Sequence, residues 1–266
     1  MTTATHVVAD SVTMTRRNLL HMIRYPALTV FGIGVPVIAL LLFVFVFGGT
    51  LGAGLPGVDA GAGREAYLAY VLPGLLVLTI AGSAGTTATM VAMDMKEGIV
   101  ARFRSMAISR AAVLNGHVLG NTVTQLIAVA IVLGVAVLIG FRPTATPIEW
   151  LGAIGLIVLV IYAIVWLGVA MGTAAKSVES ASNFPLVLVL LPMLGSGFVP
   201  TDSMPGPLRV FAEWQPFTPI IEAVRSLLMG TPMGANGWLA LGWCAVIVVI
   251  GYVWAMTLYN RKSVTG

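Results

Sequence analysis

Charge is scarce in this sequence. Only 9% of its 266 residues are Asp, Glu, Lys or Arg, 58% are hydrophobic, and the mean hydropathy is +0.99. Soluble domains carry about 25% charged residues, and too little polar side-chain surface remains here to cover a water-soluble globule. The composition therefore points to an integral membrane protein. Cysteine is almost absent: Cys244 stands alone in an apolar run, which rules out an intrachain disulfide and a cysteine-based metal site. The histidines, His6, His21 and His117, form no pair at metal-ligand spacing, so no metal is expected. The lysines are Lys96, Lys176 and Lys262, and none follows a glycine. The chain therefore has no G-x-x-x-x-G-K-[ST] loop to hold nucleotide phosphates. H-E-x-x-H and G-x-S-x-G are missing too, so the chain is not expected to be an enzyme by itself. No acidic residue sits in the middle of a long apolar run, where an ion-coupled carrier would place one. The net charge of +4 comes without a basic stripe interleaved with aromatics, so no nucleic-acid partner is expected.

What is present is long apolar runs. Residues 25–58, 66–93, 111–141, 150–175, 180–201 and 226–260 contain no Asp, Glu, Lys or Arg. Each can house a helix of about 20 residues, enough to cross about 30 Å of hydrocarbon. Backbone groups in lipid must be satisfied internally, and the runs lack the alternation of a β-barrel, so helices are expected. The reading is an all-α membrane protein, one transmembrane domain over 1–266, with six spans near 28–48, 67–91, 115–140, 149–173, 183–200 and 237–258. The fifth is short and contains Pro185 and Pro192, either of which can kink it. Arg16, Arg17, Arg24, Lys96, Arg102, Arg104, Arg110, Lys176, Arg261 and Lys262 flank one side of these spans. Arg64, Arg142, Arg209 and Arg225 flank the other. The positive-inside rule then puts both termini in the cytoplasm of a multi-pass protein. Arg16–Arg17 in "TRRNLL" matches the start of a twin-arginine export signal, but five more spans follow and no small-residue cleavage site follows the first. Residues 8–24 form an expected amphipathic helix on the inner membrane surface, with Val8, Val12, Leu19 and Ile23 near one face.

Three constellations stand out. The stretch "MDMKEGIVARFRSMAISR", 93–110, gathers Asp94, Lys96, Glu97, Arg102, Arg104 and Arg110 between spans two and three. After Gly98, Ile99, Phe103 and Met106 recur at helical spacing, with Arg102, Ser105 and Ser109 on another face. This short amphipathic helix reads either as positive-inside anchoring or as a knob for a cytoplasmic partner. The outer connection, 195–230, is long and not polar. Leu208, Phe211 and Trp214 mark one short helix stopped by Pro216; Ile220, Val224, Leu227 and Leu228 mark another, opened by Pro219 and ended by Gly230. Both are too short to cross a bilayer, so the expected segment at 201–236 is interfacial or re-entrant. Glu222 and Arg225, at i and i+3, can pair there. Polar residues also enter the spans: Ser83, Thr86, Thr87 and Thr89 in the second, and His117, Asn121, Thr124 and Gln125 in the third. They line a path or hydrogen-bond helix to helix. Gly116–Gly120 and Gly168–Gly172 have the spacing of close helix contacts.

Taken together these residues resemble the membrane permeases of type-2 ABC exporters, in particular the daunorubicin-resistance-type drug-export permeases. "KEGIVARFRSMAISR" is similar to that family's loop between spans two and three, although Ala107 stands where the family commonly has proline. "GSGFVPTDSMPGPLRVFAEWQPFTPIIEAVRSLLMG" is similar to its outer loop. The resemblance implies that residues 94–110 form a coupling loop in which Glu97, Gly98, Arg102, Arg104, Ser105 and Arg110 face a separate cytoplasmic ABC ATPase. It implies that Pro200, Met204, Pro205, Pro216, Pro219, Glu222 and Arg225 shape an exit gate of short re-entrant helices. It also implies a second permease copy, a bacterial plasma membrane, and ATP and magnesium held by the partner rather than by this chain. An ion-gradient-driven transporter and a non-transporting scaffold or lipid enzyme are the other classes the composition allows.

Reversing Arg102 and Arg104 together to Glu is expected to abolish cargo export while leaving membrane insertion intact. Export by the double variant at the parental rate, measured at matched expression, would remove the docking role.

Overall fold

A computed structural model describes residues 26–54, 63–96 and 110–262, with side chains described over 32–54, 63–96 and 118–258. The expected interfacial helix at 8–24 lies outside the described residues, as do Glu97, Gly98, Arg102, Arg104 and Ser105. Arg110 opens a helix, but its side chain, like that of His117, also lies outside them. All regular structure among the described residues is helical.

Helix α1 (Pro26–Leu42) runs through one π-helical turn, Phe43–Phe47, into the short α2 (Gly48–Ala53). Helix α3 (Gly63–Lys96) is 34 residues long, α4 covers Arg110–Leu138, α5 covers Pro147–Ala174 and α10 covers Asn236–Lys262. Five helical segments are thus long and apolar enough to cross a membrane: Gly32–Ala53, Gly63–Lys96, Val118–Leu138, Pro147–Ala174 and Asn236–Leu258. The expected fifth span differs. In place of one helix over 183–200 there are two short ones, α6 (Val178–Asn183) and α7 (Leu186–Met193), followed by turns over 194–199. The physical reason is proline. Pro185 follows the end of α6 and stands at the N-cap of α7, and Pro192 lies in the last turn of α7, each without an N–H to donate to the preceding turn.

Local signals explain the helix ends. Thr146 and Glu149 form a capping box at the start of α5, with Pro147 at its first position. Ser177 and Ser180 cap α6 in the same way. Past Thr201–Ser203, a single 3-10 turn, come α8 (Gly206–Trp214) and α9 (Phe217–Met229). Gly230 closes α9 with φ +64°, a left-handed cap that suits glycine.

Helix α3 is the axis of the bundle. It packs against α5, α4 and the broken pair α6–α7, while α10 covers the opposite side of α5. Lipid tails are as apolar as leucine, so association inside a bilayer relies on close van der Waals fit. The α3–α5 contact supplies it. A Cβ built on Gly172 would stand 2.5 Å from the Ala88 carbonyl oxygen, and one on Gly168 would stand 2.9 Å from that of Ala84. The expected close contact at 168–172 is therefore between these two helices. The pair α6–α7 runs alongside α3 in the opposite direction. Gly85 faces Ser182 near one end, and Gly74 meets Gly197 near the other.

Gly172→Val is expected to abolish most folded protein, because the clash is with backbone that cannot swing away. Gly134→Val, where a Cβ meets nothing within 4 Å, should leave the yield unchanged. Monodisperse yield on size-exclusion chromatography reads both, and a normal profile for Gly172→Val would refute the contact.

Candidate functional site

The proline-broken segment leaves the Ser196 and Phe198 carbonyls outside any helix. The side chains that bond this segment come from α3 and from the pair α8–α9. Tyr70 Oη donates to the Ser196 carbonyl at 2.9 Å, and Tyr67 Oη to that of Phe198 at 3.4 Å. Gln215, buried between α8 and α9, donates from Nε2 to the Leu191 carbonyl at 2.8 Å. Thr218 Oγ1 donates to the Ala212 carbonyl at 2.5 Å and so fixes the bend between α8 and α9. Phe43, in the π-helical turn of the first span, packs on Phe198 with ring centroids 4.8 Å apart.

Arg225 of α9 is the hub. Its Nη2 donates to the Ser196 carbonyl at 2.8 Å and to the Tyr70 carbonyl at 3.0 Å, and Nε also reaches Tyr70 at 3.3 Å. Its Nη1 pairs with Glu222 one turn earlier, and its guanidinium carbon lies 4.0 Å from the Tyr70 ring centroid. The Arg225 side chain is only 14% exposed. A charge this enclosed is tolerated because it is paired and its donors are used. Pro73 loosens the same stretch of α3, since it cannot donate to the Ala69 carbonyl. The remaining face of α9 is apolar and buried, with Phe217, Ile220, Ile221, Val224 and Leu228 in the common core. Its far end is tied by Thr144 Oγ1, which donates to the Met229 carbonyl.

The candidate gate residues fall into two groups. Pro216 caps α9, Pro219 is buried in its first turn, and Glu222 and Arg225 meet at the hub. Pro200, Met204 and Pro205 instead bound the 3-10 turn and the start of α8, away from the hub's hydrogen bonds. There Arg209 bonds Asp202 and Glu213, each at 2.7 Å. The hydrogen bond to Glu213 raises the Arg209 pKa above its ordinary value. On the same helix Leu208, Val210, Phe211 and Trp214 stay exposed, an amphipathic arrangement suited to an interface. Trp214, Trp238 and Trp243 wall an open apolar cavity of about 500 Å³ beside it.

Of the polar residues singled out within the spans, Gln125 donates to the Thr79 carbonyl on α3 at 2.9 Å, and Asn121 is buried one turn away. Both lie between helices. Thr86 is on an open face of α3 with Gly82, and its hydroxyl bonds back to the Ser83 carbonyl. Ser182 and Asn183 of α6 are exposed alongside. Tyr67, Tyr70, Ser196, Gln215 and Thr218 were not among the residues the sequence singled out. The available signal was two of only six tyrosines, three positions apart in a charge-free run.

The ABC-2 type transporter family model matches residues 11–229. A daunorubicin resistance ABC transporter permease protein of Streptomyces coeruleorubidus is 27% identical over 259 residues, 96% of this chain and 88% of that protein. A probable doxorubicin resistance ABC transporter permease protein of Mycobacterium tuberculosis is 31% identical over 209 residues, 74% of this chain and 75% of that protein.

Gly195→Ala should loosen this site, since a Cβ there would stand 2.5 Å from Gln215 Nε2 and 2.7 Å from Thr218 Oγ1. A loss of about 1–3 kcal/mol is expected for such overpacking, and the detergent-solubilised melting temperature should fall by several degrees. An unchanged melting temperature would mean that the Gln215–Thr218 pair is free to move aside.

Proposed function

The chain belongs to the ABC-2 type transporter family and is a membrane subunit of an ABC transporter, and from that premise we propose that it exports a lipophilic, drug-like compound, driven by a separate ATPase. The observation that carries this reading is the extent of the family match. It runs over 11–229 and so takes in both the arginine-rich stretch and the outer helix pair. The chain brings no phosphate loop of its own, so the nucleotide, with magnesium, would sit on the partner. Glu97, Gly98, Arg102, Arg104, Ser105 and Arg110 are proposed to contact that ATPase.

We further propose six crossings, with residues 178–198 as the fifth. This segment follows α3 from Ser182 beside Gly85 to Gly197 beside Gly74, and the two contacts on α3 are 11 residues apart, about 16 Å along a helix. A sixth crossing puts both termini on the cytoplasmic side of a bacterial inner membrane, in keeping with the lysine and arginine distribution. On this orientation α9 is a buried helix in the outer half of the membrane and α8 an interfacial one, together forming the exit gate. The open face bearing Gly82, Thr86, Ser182 and Asn183 is poorly suited to lipid. It is proposed to face the path between two permease copies. Nucleotide closure at the ATPases does work only if it favours one permease conformation over the other.

Cells making this chain with its ATPase should accumulate several-fold less of a fluorescent anthracycline than cells making the chain with an ATPase lacking its phosphate-loop lysine. Equal export by both, collapsing when the proton gradient is dissipated, would replace this reading with an ion-coupled carrier.

A further inference from the structure

The outer gate must receive motion from somewhere, and α9 is hydrogen-bonded to its surroundings at three places: to α8 through Thr218, to the α4–α5 connection through Thr144, and to α3 and the turn at 194–198 through Arg225. Its contacts with α5 and α10 run along its apolar face, and such surfaces can slide. Among the described residues, every hydrogen bond from α9 to α3 starts at the Arg225 guanidinium. The same group also holds the Ser196 carbonyl, in the turn after α7, and Tyr70 of α3 bonds that carbonyl independently. One planar cation thus ties α9, α3 and the 194–198 turn together. Helix α3 continues from this hub, past Pro73, to Lys96, next in sequence to the arginine-rich stretch.

We propose that Arg225 is the positioning residue that makes α3, α9 and the turn at 194–198 one moving body, so that displacement at the Lys96 end of α3 reaches the outer gate. The proposal rests on the ATP-driven reading above. Arginine suits the role because its planar fork holds two carbonyls and a carboxylate at once, while its ring contact with Tyr70 fixes the plane. A lysine ammonium is a point charge and cannot bridge the same acceptors in a fixed geometry. Glu222 aims the fork and neutralises it; it is not itself a link to α3.

The reporter is Ser196→Cys in a Cys244→Ala background. Ser196 is buried, and its hydroxyl has no hydrogen-bond partner among the described residues, so the exchange of oxygen for sulfur disturbs little. The complete transporter, in membrane vesicles with its ATPase, is treated with a membrane-impermeant maleimide, without nucleotide and after trapping with ATP and vanadate. With Arg225 present, the labelling rate should differ about tenfold between the two states, within the usual range of coupling between sites. Arg225→Met should bring the two rates together while ATP hydrolysis continues. A merely structural loss would shift both rates and keep their ratio. Arg225→Lys keeps the charge and serves if Arg225→Met does not accumulate; it too should lose most of the ratio. A full nucleotide-dependent ratio in either variant overturns the proposal. No ratio even with Arg225 present would instead remove the ATP-driven gate on which it rests.

Discussion

A backbone carbonyl in hydrocarbon must find a donor within the protein, and the proposed fifth crossing at 178–198, broken by two prolines, is the segment on which this constraint would bear most. Each unsatisfied group in lipid costs several kcal/mol. A continuous helix avoids the problem; a segment carrying Pro185 and Pro192 cannot. The solution is a set of borrowed donors: Tyr67 and Tyr70 from α3, Gln215 before α9, and Arg225 within it. Close backbone approach is the second part of the solution. Gly74 and Gly197 meet without side chains, so the turn lies against α3 within reach of the tyrosines. The broken segment and the short helix α9 are therefore mutually dependent: one supplies acceptors, the other donors.

This dependence explains why an enclosed arginine stands in α9, with Glu222 of the same helix as its partner. Isolated, a charge as enclosed as that of Arg225 would be costly. Paired with Glu222 and spread over two carbonyls, it becomes a fixed joint between elements far apart in sequence. Helix α8 obeys the opposite rule. Its ion pairs, Arg209 with Asp202 and Glu213, are exposed and contribute little energy. They lie on one side of the helix, with the exposed Phe211 and Trp214 on the other.

The sequence made the class of fold plain, because charge-free runs of helix length have few other physical readings. It also made the two short helices legible: Pro216 follows the end of α8 and Gly230 closes α9, although α9 opens at Phe217, two residues before the Pro219 expected to open it. The apolar run at 183–200 is not one helix, since hydropathy continues through 194–200 after the helix has ended at Met193. Hydropathy counts side chains; it does not count backbone donors. The hub was only half visible. Glu222 and Arg225 announced themselves by spacing, whereas Tyr70 and the Ser196 main chain are 155 and 29 positions away from Arg225. No local pattern links them. Gln125 shows the same limit: its partner, the Thr79 carbonyl, is a main-chain atom that no side-chain pattern names.

We propose that the segment at 178–198, though not a continuous helix, crosses the membrane because neighbouring side chains satisfy its backbone. Single cysteines at Ser177 and Asp202, on either side of that segment, test it most directly when labelled in intact cells and in inverted vesicles. If residues 178–198 cross as proposed, Asp202→Cys reacts only from outside and Ser177→Cys only from the cytoplasmic side. Labelling of both from the same side would mean that residues 178–198 turn back without crossing, and would contradict it.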